Sequence, residues 1–542
     1  MNIRFRGTGA TGLVLAICIS SAIFAGAARA ETGSVLDELE AYAVRIMQEQ
    51  KVLGMAYAIV KDDAVIYSKG FGVKDAATGA PVDVHTVFEI GSTSKAFTTT
   101  LLAMLDDEDR IGWKDPVLEH LPEFAMMDPW VTREFQIADL VSQRSGMTPY
   151  SLDLMAFLGF NREDIVRAVR FVEPISSFRS TFGYVNSLFL AAAQIVEDKT
   201  GLSWEDNLDV SIFGPLGMTE TTANPEVVAT LTNIARGHIG TASGDLWPIP
   251  DDWTYGDWID TYGPAGGIRS NVLDMTKWIR MQLGRGSFEG NQLVSAENIA
   301  AMHDPKIFAG NQVFGDVASY ASAWIYNTFS PYPVVWHNGS TSGMHSIVAL
   351  VPKANVGLVV LTNTVQNTVP ELILAKAYAL YFHPENETSL LLESLASTSG
   401  YAAVTGPGLF FPRPARDETQ AAVSPQLSLP LERYTGTYSN PAYGQVTVSI
   451  VDNALHAVMG PKQLDVPLVS FSGNTFTGLM PDMPVAPDSE ILVTFVVPVE
   501  ANARELVISA FADVNRGRFT RASDSPPVRY GERRPELAPG SR

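Results

Sequence analysis

Cysteine is nearly absent from this 542-residue sequence, which contains only Cys18. That residue lies in an apolar run over residues 13–25, with two arginines before the run and Ala28-Arg29-Ala30 after it. A basic start, a short apolar run and a small-x-small cleavage site are typical of an export signal. We therefore predict that residues 1–30 are removed and that the mature protein is periplasmic or secreted. Without Cys18, the mature chain has no disulfides, no thiol catalysis and no thiolate metal site.

Long apolar runs and basic residues are also scarce after the signal. No later segment approaches about eighteen uninterrupted apolar residues, so we predict no membrane span. The formal net charge is −21, and loss of the signal brings it to about −24. Nucleic acid is disfavoured as a partner, because phosphate binding needs a basic face.

The histidines show neither an H-E-x-x-H motif nor other close ligand spacing, so we predict no metal and no cofactor.

The pattern of apolar residues predicts an α+β domain followed by a small antiparallel β-barrel. Two apolar strands around Lys61-Asp62-Asp63 indicate a hairpin, and later strands lead into a closing helix. Strands flanked by helices at both ends indicate a layered architecture. A Pro- and Ser-rich stretch precedes short alternating strands with no helical period, which favour a barrel. The predicted units are the signal (1–30), a catalytic domain (31–384), a linker (385–430), a barrel domain (431–521) and a flexible tail (522–542).

The motif Ser92-Thr93-Ser94-Lys95 lies between a short apolar strand and an amphipathic stretch from Ala96 to Leu105. If that stretch is a helix, Ser92 and Lys95 share one face of its N-terminal turn, and a hydroxyl stands beside an amine. A lysine whose pKa is lowered by burial can take the proton of a serine and make it a nucleophile. About one S-x-x-K is expected by chance in a chain of this length, so context has to support the assignment.

Tyr184-Val185-Asn186 is a second candidate element, placed between a polar loop and a helical run. Side chains on such a loop often project into a cleft. A tyrosine hydroxyl near a lysine can relay a proton, and an amide can hold a substrate carbonyl. The alternative interpretation is a capping asparagine beside a buried tyrosine. Tyr438-Ser439-Asn440 repeats the pattern inside the predicted barrel, where no site is expected.

His337-Asn338-Gly339-Ser340 is the third candidate element and follows an apolar run that predicts a strand. We expect His337 to lie where the strand edge faces a cleft, and Gly339 to let a substrate backbone approach closely. The centre of Gly339 to Gly343 is a threonine, so this is not the G-x-S-x-G nucleophile elbow, and an α/β-hydrolase is disfavoured. His238-Ile239-Gly240 lies among loops and is interpreted as structural.

In order and context, the three motifs resemble those of the penicillin-recognising serine hydrolases over about residues 35–384. Phe88-Glu89-Ile90-Gly91-Ser92 and Ala265-Gly266-Gly267-Ile268-Arg269-Ser270 also support the resemblance. Within that group, the chain is similar to the class C β-lactamase and D-aminopeptidase branch. The resemblance implies a β-lactamase/transpeptidase-like α/β/α sandwich, and the barrel resembles lipocalin-like domains that are appended to some of these peptidases.

The resemblance also implies an acyl-enzyme mechanism, with Ser92 as the nucleophile, Lys95 as its base and Tyr184 as the proton shuttle. Asn186 is then expected to orient the substrate. The backbone N–H groups of Ser92 and Ser340 are expected to form the oxyanion hole.

One departure from the family pattern affects the choice of substrate. The β-lactamases of this branch usually carry Lys-Thr-Gly on the strand, where this chain has His337, and a neutral imidazole holds a carboxylate less well than an ammonium. This departure disfavours a dedicated β-lactamase and favours a peptidase or an esterase, and of these we predict a peptidase acting on small or linear peptides. An esterase or β-lactamase using the same residues and a non-catalytic penicillin-binding protein are the alternatives. The role of His337, between carbonyl binding and proton transfer, is left open, as is assembly into a homo-oligomer.

Overall fold

The fold is described from a computed structural model, which covers residues 35–240, 245–312, 316–328, 332–365, 367–382, 429–482, 490–499 and 501–522. The predicted signal, nearly all of the predicted linker and residues 523–542 of the predicted tail lie outside the described residues. Among the residues that the structure describes, no helix is both long enough and apolar enough to cross a membrane.

The helices are concentrated in the first two thirds of the chain, and many between residues 117 and 266 are a single turn or two. They are α1 (35–49), α2 (Lys95–Asp107), α3 (Val117–His120), α4 (Pro129–Glu134), α5 (Ile137–Leu140), α6 (Asp153–Phe157), α7 (Arg162–Ala168), α8 (Ser187–Thr200), α9 (Trp204–Leu208), α10 (Gly214–Leu216), α11 (Pro225–Val228), α12 (Trp258–Thr261), α13 (Gly263–Gly266), α14 (Val272–Leu283), α15 (Ala296–His303) and α16 (Val369–Phe382).

In the described part of the first domain, the strands form one large antiparallel sheet of eight strands and three two-stranded sheets. The order in the large sheet is β2-β1-β14-β13-β12-β11-β10-β9. The strands of this domain are β1 (Gly54–Lys61), β2 (Ala64–Gly72), β3 (Phe88–Glu89), β4 (His238–Gly240), β5 (Leu246–Pro248), β6 (Arg269–Ser270), β7 (Ser287–Phe288), β8 (Asn291–Gln292), β9 (Ile307–Gln312), β10 (Asp316–Tyr320), β11 (Ile325–Asn327), β12 (Val334–Ser340), β13 (His345–Val351) and β14 (Val356–Thr362).

The sequence of the large sheet reflects burial on both of its faces. Every residue of β13 and β14 is buried, whereas the edge strand β2 is largely exposed or half-buried. Alternate residues of β1 pack in different clusters, with Tyr57 facing the side of α1 and α16 and Ala58 facing the side of α2. The predicted hairpin between β1 and β2 is confirmed, and Asp62 and Asp63 both have positive φ at its turn, as primed hairpin turns require.

The apolar pattern of residues 323–326 predicts a strand, and in the structure this strand begins later. Ala323 has φ of 63° and belongs to a turn, and β11 starts at Ile325. Strands β9 and β10 were not predicted. They extend the sheet beyond β11 at its edge, where exposed Phe308 and Val317 break the hydrophobic alternation that identifies a half-buried strand.

The second domain is a closed antiparallel barrel of eight strands, β15 to β22. Residues in β18 alternate between buried and exposed over Leu464–Val469, as a strand with one face in a barrel core requires. The strands are β15 (Gly436–Asn440), β16 (Gly444–Val451), β17 (Ala454–Met459), β18 (Leu464–Ser472), β19 (Thr475–Leu479), β20 (Glu490–Val496), β21 (Glu505–Ile508) and β22 (Arg518–Arg521). The predicted fold class, a layered α+β domain followed by a small barrel, is therefore confirmed.

The barrel packs directly against the loops of the first domain. Val172 and Val514 form a β-bridge between the two domains. Tyr255 donates a hydrogen bond from its hydroxyl to the carbonyl of Pro481 at 2.6 Å. The buried side chains of the barrel belong to the same continuous hydrophobic cluster as those of α2 and α8. The two domains therefore share one core.

Candidate active site

Ser92 and Lys95 meet where the chain enters α2. A 3-10 turn, Gly91–Ser94, leads directly into the helix, so the two side chains project from successive turns on one side. Lys95 Nζ lies 3.0 Å from Ser92 Oγ and 2.7 Å from the carbonyl oxygen of Ala265. Ser92 is half-buried and Lys95 is fully buried. A half-buried serine is thus hydrogen-bonded through its hydroxyl to a fully buried lysine amine.

Burial changes the chemistry of the Lys95 amine. Removal from water penalises the ammonium form and lowers the pKa of Lys95 from 10.5 to about 7, against the opposing charge of Asp153. Two aromatic rings help to enclose the amine: Nζ lies 4.8 Å from the ring centroid of Tyr184 and 5.3 Å from that of Phe189. At neutral pH, a large fraction of Lys95 is therefore unprotonated and able to accept a proton.

Tyr184 lies beside this pair, in the loop that leads into α8. Its hydroxyl interacts with the side chain of Ser92, and burial raises the pKa of Tyr184 well above its usual value. The phenol is therefore protonated at neutral pH. Its ring stands 5.5 Å from that of Tyr150 and 6.1 Å from that of His337, centroid to centroid. Tyr184 can consequently pass a proton without carrying a charge of its own.

Asn186 occupies the N-cap position of α8, but its side chain does not cap the helix. Its Nδ2 instead donates to Asp153 Oδ2 at 2.7 Å. The alternative of a purely capping asparagine is therefore wrong. Asp153, at the start of α6, was missed by the sequence analysis, because it belongs to no motif. The available signal was a lone carboxylate in the otherwise apolar run Leu152–Phe160.

Asp153 is the carboxyl group whose negative charge acts on Lys95. Burial raises the pKa of Asp153 to about 7, while the hydrogen bond from Asn186 and the charge of Lys95 act in the opposite direction. Among the described residues, its Oδ1 atom is buried and has no hydrogen-bond partner. The amine that contacts Ser92 and the carboxyl group that acts on this amine by charge thus both have pKa values shifted toward neutral pH.

His337 lies in β12 with its ring buried. Its Nε2 is 3.1 Å from the hydroxyl of Tyr320, and its Nδ1 is 2.5 Å from the carbonyl oxygen of Asn338. Burial, together with the charge of Lys95, lowers the pKa of His337 to about 3. The imidazole is therefore neutral at pH 7, and it provides no fixed positive charge at the position where related β-lactamases have lysine.

Gly339 and Gly91 allow β12 to touch the turn that carries Ser92. A Cβ on Gly339 would lie 2.1 Å from the carbonyl oxygen of Ile90 and 2.8 Å from the backbone nitrogen of Ser92. A Cβ on Gly91, whose φ is 52°, would lie 2.7 Å from the backbone nitrogen of Ser340. The backbone nitrogens of Ser92 and Ser340 therefore adjoin the same contact, where an oxyanion could be held.

The side chain of Ser340 belongs to the other face of the sheet. Its Oγ lies 2.6 Å from His345 Nδ1, and His345 Nε2 lies 2.9 Å from Glu371 of α16. Glu371 also accepts from Asn338 Nδ2 at 3.1 Å. Because successive residues of a strand point to opposite faces, His337 and Gly339 face α2 while Asn338 and Ser340 face α16. Ser340 can therefore contribute to the site through its backbone only.

The two motifs that repeat the Tyr184 and His337 patterns elsewhere in the chain, at Tyr438 and His238, lie in environments unlike that of the candidate site. Tyr438 is buried in the barrel, where its hydroxyl donates to the carbonyl of Tyr434 at 2.6 Å. His238 is buried in β4, with Nδ1 3.0 Å from the carbonyl oxygen of Asn363. Within the described ranges, the one group of potential metal ligands is Asp115, Glu119 and His120 around α3, a partly exposed cluster.

The comparisons with known proteins agree with this fold. The family model described as Beta-lactamase matches residues 39–381, and the chain belongs to that family. A model described as a domain of unknown function, DUF3471, matches residues 420–520.

Individual relatives match beyond the family model. The chain is 29% identical over 446 residues to "Unguisins hydrolase ungD'" of Aspergillus campestris, covering 77% of this chain and 78% of that protein. It is 28% identical over 324 residues to penicillin-binding protein 4 of Amycolatopsis lactamdurans, covering 58% of this chain and 82% of that protein. The octameric penicillin-binding protein homologue of Pyrococcus abyssi has the same fold, with a TM-score of 0.56, 22% identity and coverage of 90% of this chain and 100% of that one.

Proposed function

We propose that this protein is a serine peptidase that cleaves amide bonds of small or linear peptides through an acyl-enzyme on Ser92. The observation that carries the proposal is the 3.0 Å contact between Ser92 Oγ and the buried amine of Lys95. Base and nucleophile are thus in hydrogen-bond reach, as acyl transfer requires. The other members of the site lie around this pair.

In the proposed reaction, the neutral Lys95 amine takes the hydroxyl proton as Ser92 Oγ attacks the substrate carbonyl. The tetrahedral oxyanion is held by the backbone N–H groups of Ser92 and Ser340, and loss of one such donor typically costs about 2.7 to 4 kcal/mol. Tyr184 passes the proton to the leaving amine as the C–N bond breaks. A water molecule then attacks the ester, its proton returns along the same groups, and Ser92 is released with the product acid.

The neutral His337 supports a peptide in preference to a β-lactam as substrate. A neutral ring offers a substrate no fixed charge, whereas the lysine of related β-lactamases offers one to the drug's carboxylate. Similarity to a protein named as a hydrolase extends over 446 residues. The whole sequence also looks like a bacterial peptidase of linearised microcystin, so we propose that linear peptide as the first natural substrate to test.

Esterase or β-lactamase activity with the same residues is the second candidate, favoured by the match of the family model. Similarity to penicillin-binding protein 4 keeps a non-catalytic penicillin-binding protein as a third. Export to the periplasm or the medium, a lipocalin-like origin of the barrel and assembly into a homo-oligomer stay predictions. Size-exclusion chromatography with light scattering tests the last of these.

The decisive experiment compares the mature protein with Ser92→Ala on linear peptides, p-nitrophenyl esters and nitrocefin, with products identified by mass spectrometry. Ser439→Ala, in the barrel motif that mimics the site, serves as the matched control. We expect peptide cleavage that disappears in Ser92→Ala and persists in Ser439→Ala. Turnover of esters or nitrocefin alone would transfer the assignment to the second candidate. Trapping of penicillin without turnover would favour the third, and activity that survives in Ser92→Ala would refute the mechanism.

A further inference from the structure

The barrel reaches the candidate site at one turn of the first domain, Tyr150 to Asp153. Tyr150 and Leu152 both have positive φ, 59° and 69°. Residues other than glycine rarely adopt this backbone region, and a branched apolar residue does so only when its surroundings hold it there. The turn is therefore strained, and its conformation depends on the contacts around it.

Two side chains hold the peptide groups of Leu152, and one of them comes from the barrel. The barrel residue Asp513 accepts a hydrogen bond from Leu152 N at 2.7 Å through Oδ2. On the other side, the buried Tyr262 donates from its hydroxyl to the carbonyl of Leu152 at 2.9 Å. The Leu152 peptide is thus fixed from both directions, once from each domain.

Asp513 is itself fixed within the barrel. The hydroxyl of buried Tyr443 lies 2.8 Å and 2.9 Å from the two carboxylate oxygens of Asp513. The next residue, Val514, forms the β-bridge to Val172 of the first domain. The barrel therefore holds the Asp513 carboxylate in place as the hydrogen-bond acceptor for Leu152 N. Through this bond, the position of Leu152 depends on the position of the barrel.

The strained turn ends at Asp153, the residue that contacts Asn186 and acts by charge on Lys95. Asp153 follows Leu152 directly and accepts from Asn186 Nδ2 at 2.7 Å. Its charge acts on Lys95, and the charge of Asp513 acts in turn on Asp153. A chain of contacts therefore runs from the barrel through Leu152 and Asp153 to Asn186 and Lys95.

We infer that the barrel is part of the catalytic apparatus and that Asp513 is a positioning residue, which holds the Leu152–Asp153 turn so that Asp153 stays beside Asn186 and Lys95. The inference rests on the proposed acyl-enzyme function and adds to it a role for the second domain. If the barrel only stabilised the fold, any contact across the domain interface could fulfil that role, and none would have to involve the Leu152–Asp153 turn. Asp513 is distinguished because its partner is the strained peptide next to Asp153.

The test uses the full chain and three variants. Asp513→Ala removes the acceptor, and Asp513→Asn retains an oxygen that can accept from Leu152 N. Tyr443→Phe is the mild variant, since it removes only the hydroxyl that orients Asp513. The matched control is Tyr255→Phe, which deletes a hydrogen bond across the same interface to Pro481 and leaves the turn untouched. Thermal denaturation shows whether each variant is folded.

The measurement is the rate of Ser92 modification by phenylmethylsulfonyl fluoride, from pH 5 to 9, together with kcat and KM for the best substrate of the panel. The serine oxygen displaces fluoride at sulfur, so the reagent reports nucleophile reactivity independently of the natural substrate. In Asp513→Ala we expect the labelling rate at the high-pH plateau and kcat both to fall about 10- to 100-fold. Small misplacements of catalytic groups cause rate losses of this size. The pH midpoint should move to lower pH, because a displaced Asp153 would raise the pKa of Lys95 less.

Asp513→Asn should recover most of the lost rate, and Tyr443→Phe should fall between Asp513→Ala and wild type. Tyr255→Phe should keep the wild-type rate and midpoint. The inference is overturned if folded Tyr443→Phe and Asp513→Ala keep the wild-type rate and midpoint. It is also overturned if Tyr255→Phe loses as much activity as they do. Absence of Ser92 labelling in the wild type would instead refute the proposed function, so the two failures are distinguishable.

Discussion

Replacement of Lys95 by arginine should abolish the base while retaining the positive charge. With the pKa of Lys95 lowered to about 7 by burial, about half of the amine is neutral at pH 7, against about 3 parts in 10,000 at its ordinary pKa of 10.5. The lowered pKa therefore increases the concentration of free base by about 1,500-fold. Arginine stays protonated in proteins, so Lys95→Arg has no base to offer.

We expect kcat/KM of Lys95→Arg to fall by about 10² to 10⁴, the usual contribution of a general base. In the wild type, kcat/KM for a p-nitrophenyl ester should rise with pH through a midpoint of about 7, as the Lys95 amine loses its proton. Lys95→Met is the matched control for size. It should lose as much activity, and its Tm should fall, because the Ala265 carbonyl loses the hydrogen bond from Lys95.

Two results would refute this reasoning. A wild-type rate that does not change between pH 5.5 and 8.5 would show that no group titrating near 7 limits the reaction. A Lys95→Arg variant that keeps more than about a tenth of the wild-type kcat/KM would show that the proton goes elsewhere. Circular dichroism of both variants confirms that a loss of rate is not a loss of fold.

Three further predictions concern neighbouring groups. Tyr184→Phe should lower kcat for amides by about 10² to 10⁴ with little change in KM, since it removes the proton relay; single-turnover kinetics that match wild type would contradict this. Gly339→Ala places a Cβ 2.1 Å from the Ile90 carbonyl oxygen, so urea denaturation should show a loss of about 1–3 kcal/mol with slower sulfonyl fluoride labelling; an unchanged labelling rate would count against the proposed contact. Glu371→Gln should destabilise the protein by about 1–3 kcal/mol, because the fully buried carboxylate accepts hydrogen bonds from both Asn338 and His345. An unchanged midpoint of urea unfolding would refute this prediction.

The direction of each side chain on β12 has a mechanistic consequence. From the sequence, the backbone N–H of Ser340 is expected to help form the oxyanion hole. In the structure its hydroxyl points to His345 and Glu371 on the opposite face, so the proposed oxyanion donor is its backbone N–H alone. Ser340→Ala should therefore affect stability more than kcat, which a comparison of Tm and kcat for this variant checks.

The sequence by itself determined the elements that depend on local pattern. The spacing of Ser92 and Lys95 places both on one side of a helix start wherever that helix lies. The alternation of apolar residues after Leu429 predicts short strands with one buried face, which close into the barrel. The hairpin turn at Asp62 and Asp63 depends on two residues only. These features are short-range, so they could be predicted before any packing was known.

Only the tertiary structure decided which distant groups meet the nucleophile. Asp513 contacts Leu152 across 361 positions of sequence, and Lys95 meets the Ala265 carbonyl across 170. No periodicity links such pairs, because their contact depends on how two domains and a layer of short helices pack. The pKa values of Lys95, Asp153 and His337 follow from the same packing, since burial is their first cause. The motif therefore predicted the candidate reacting groups, and burial decides which of them have pKa values near neutral pH.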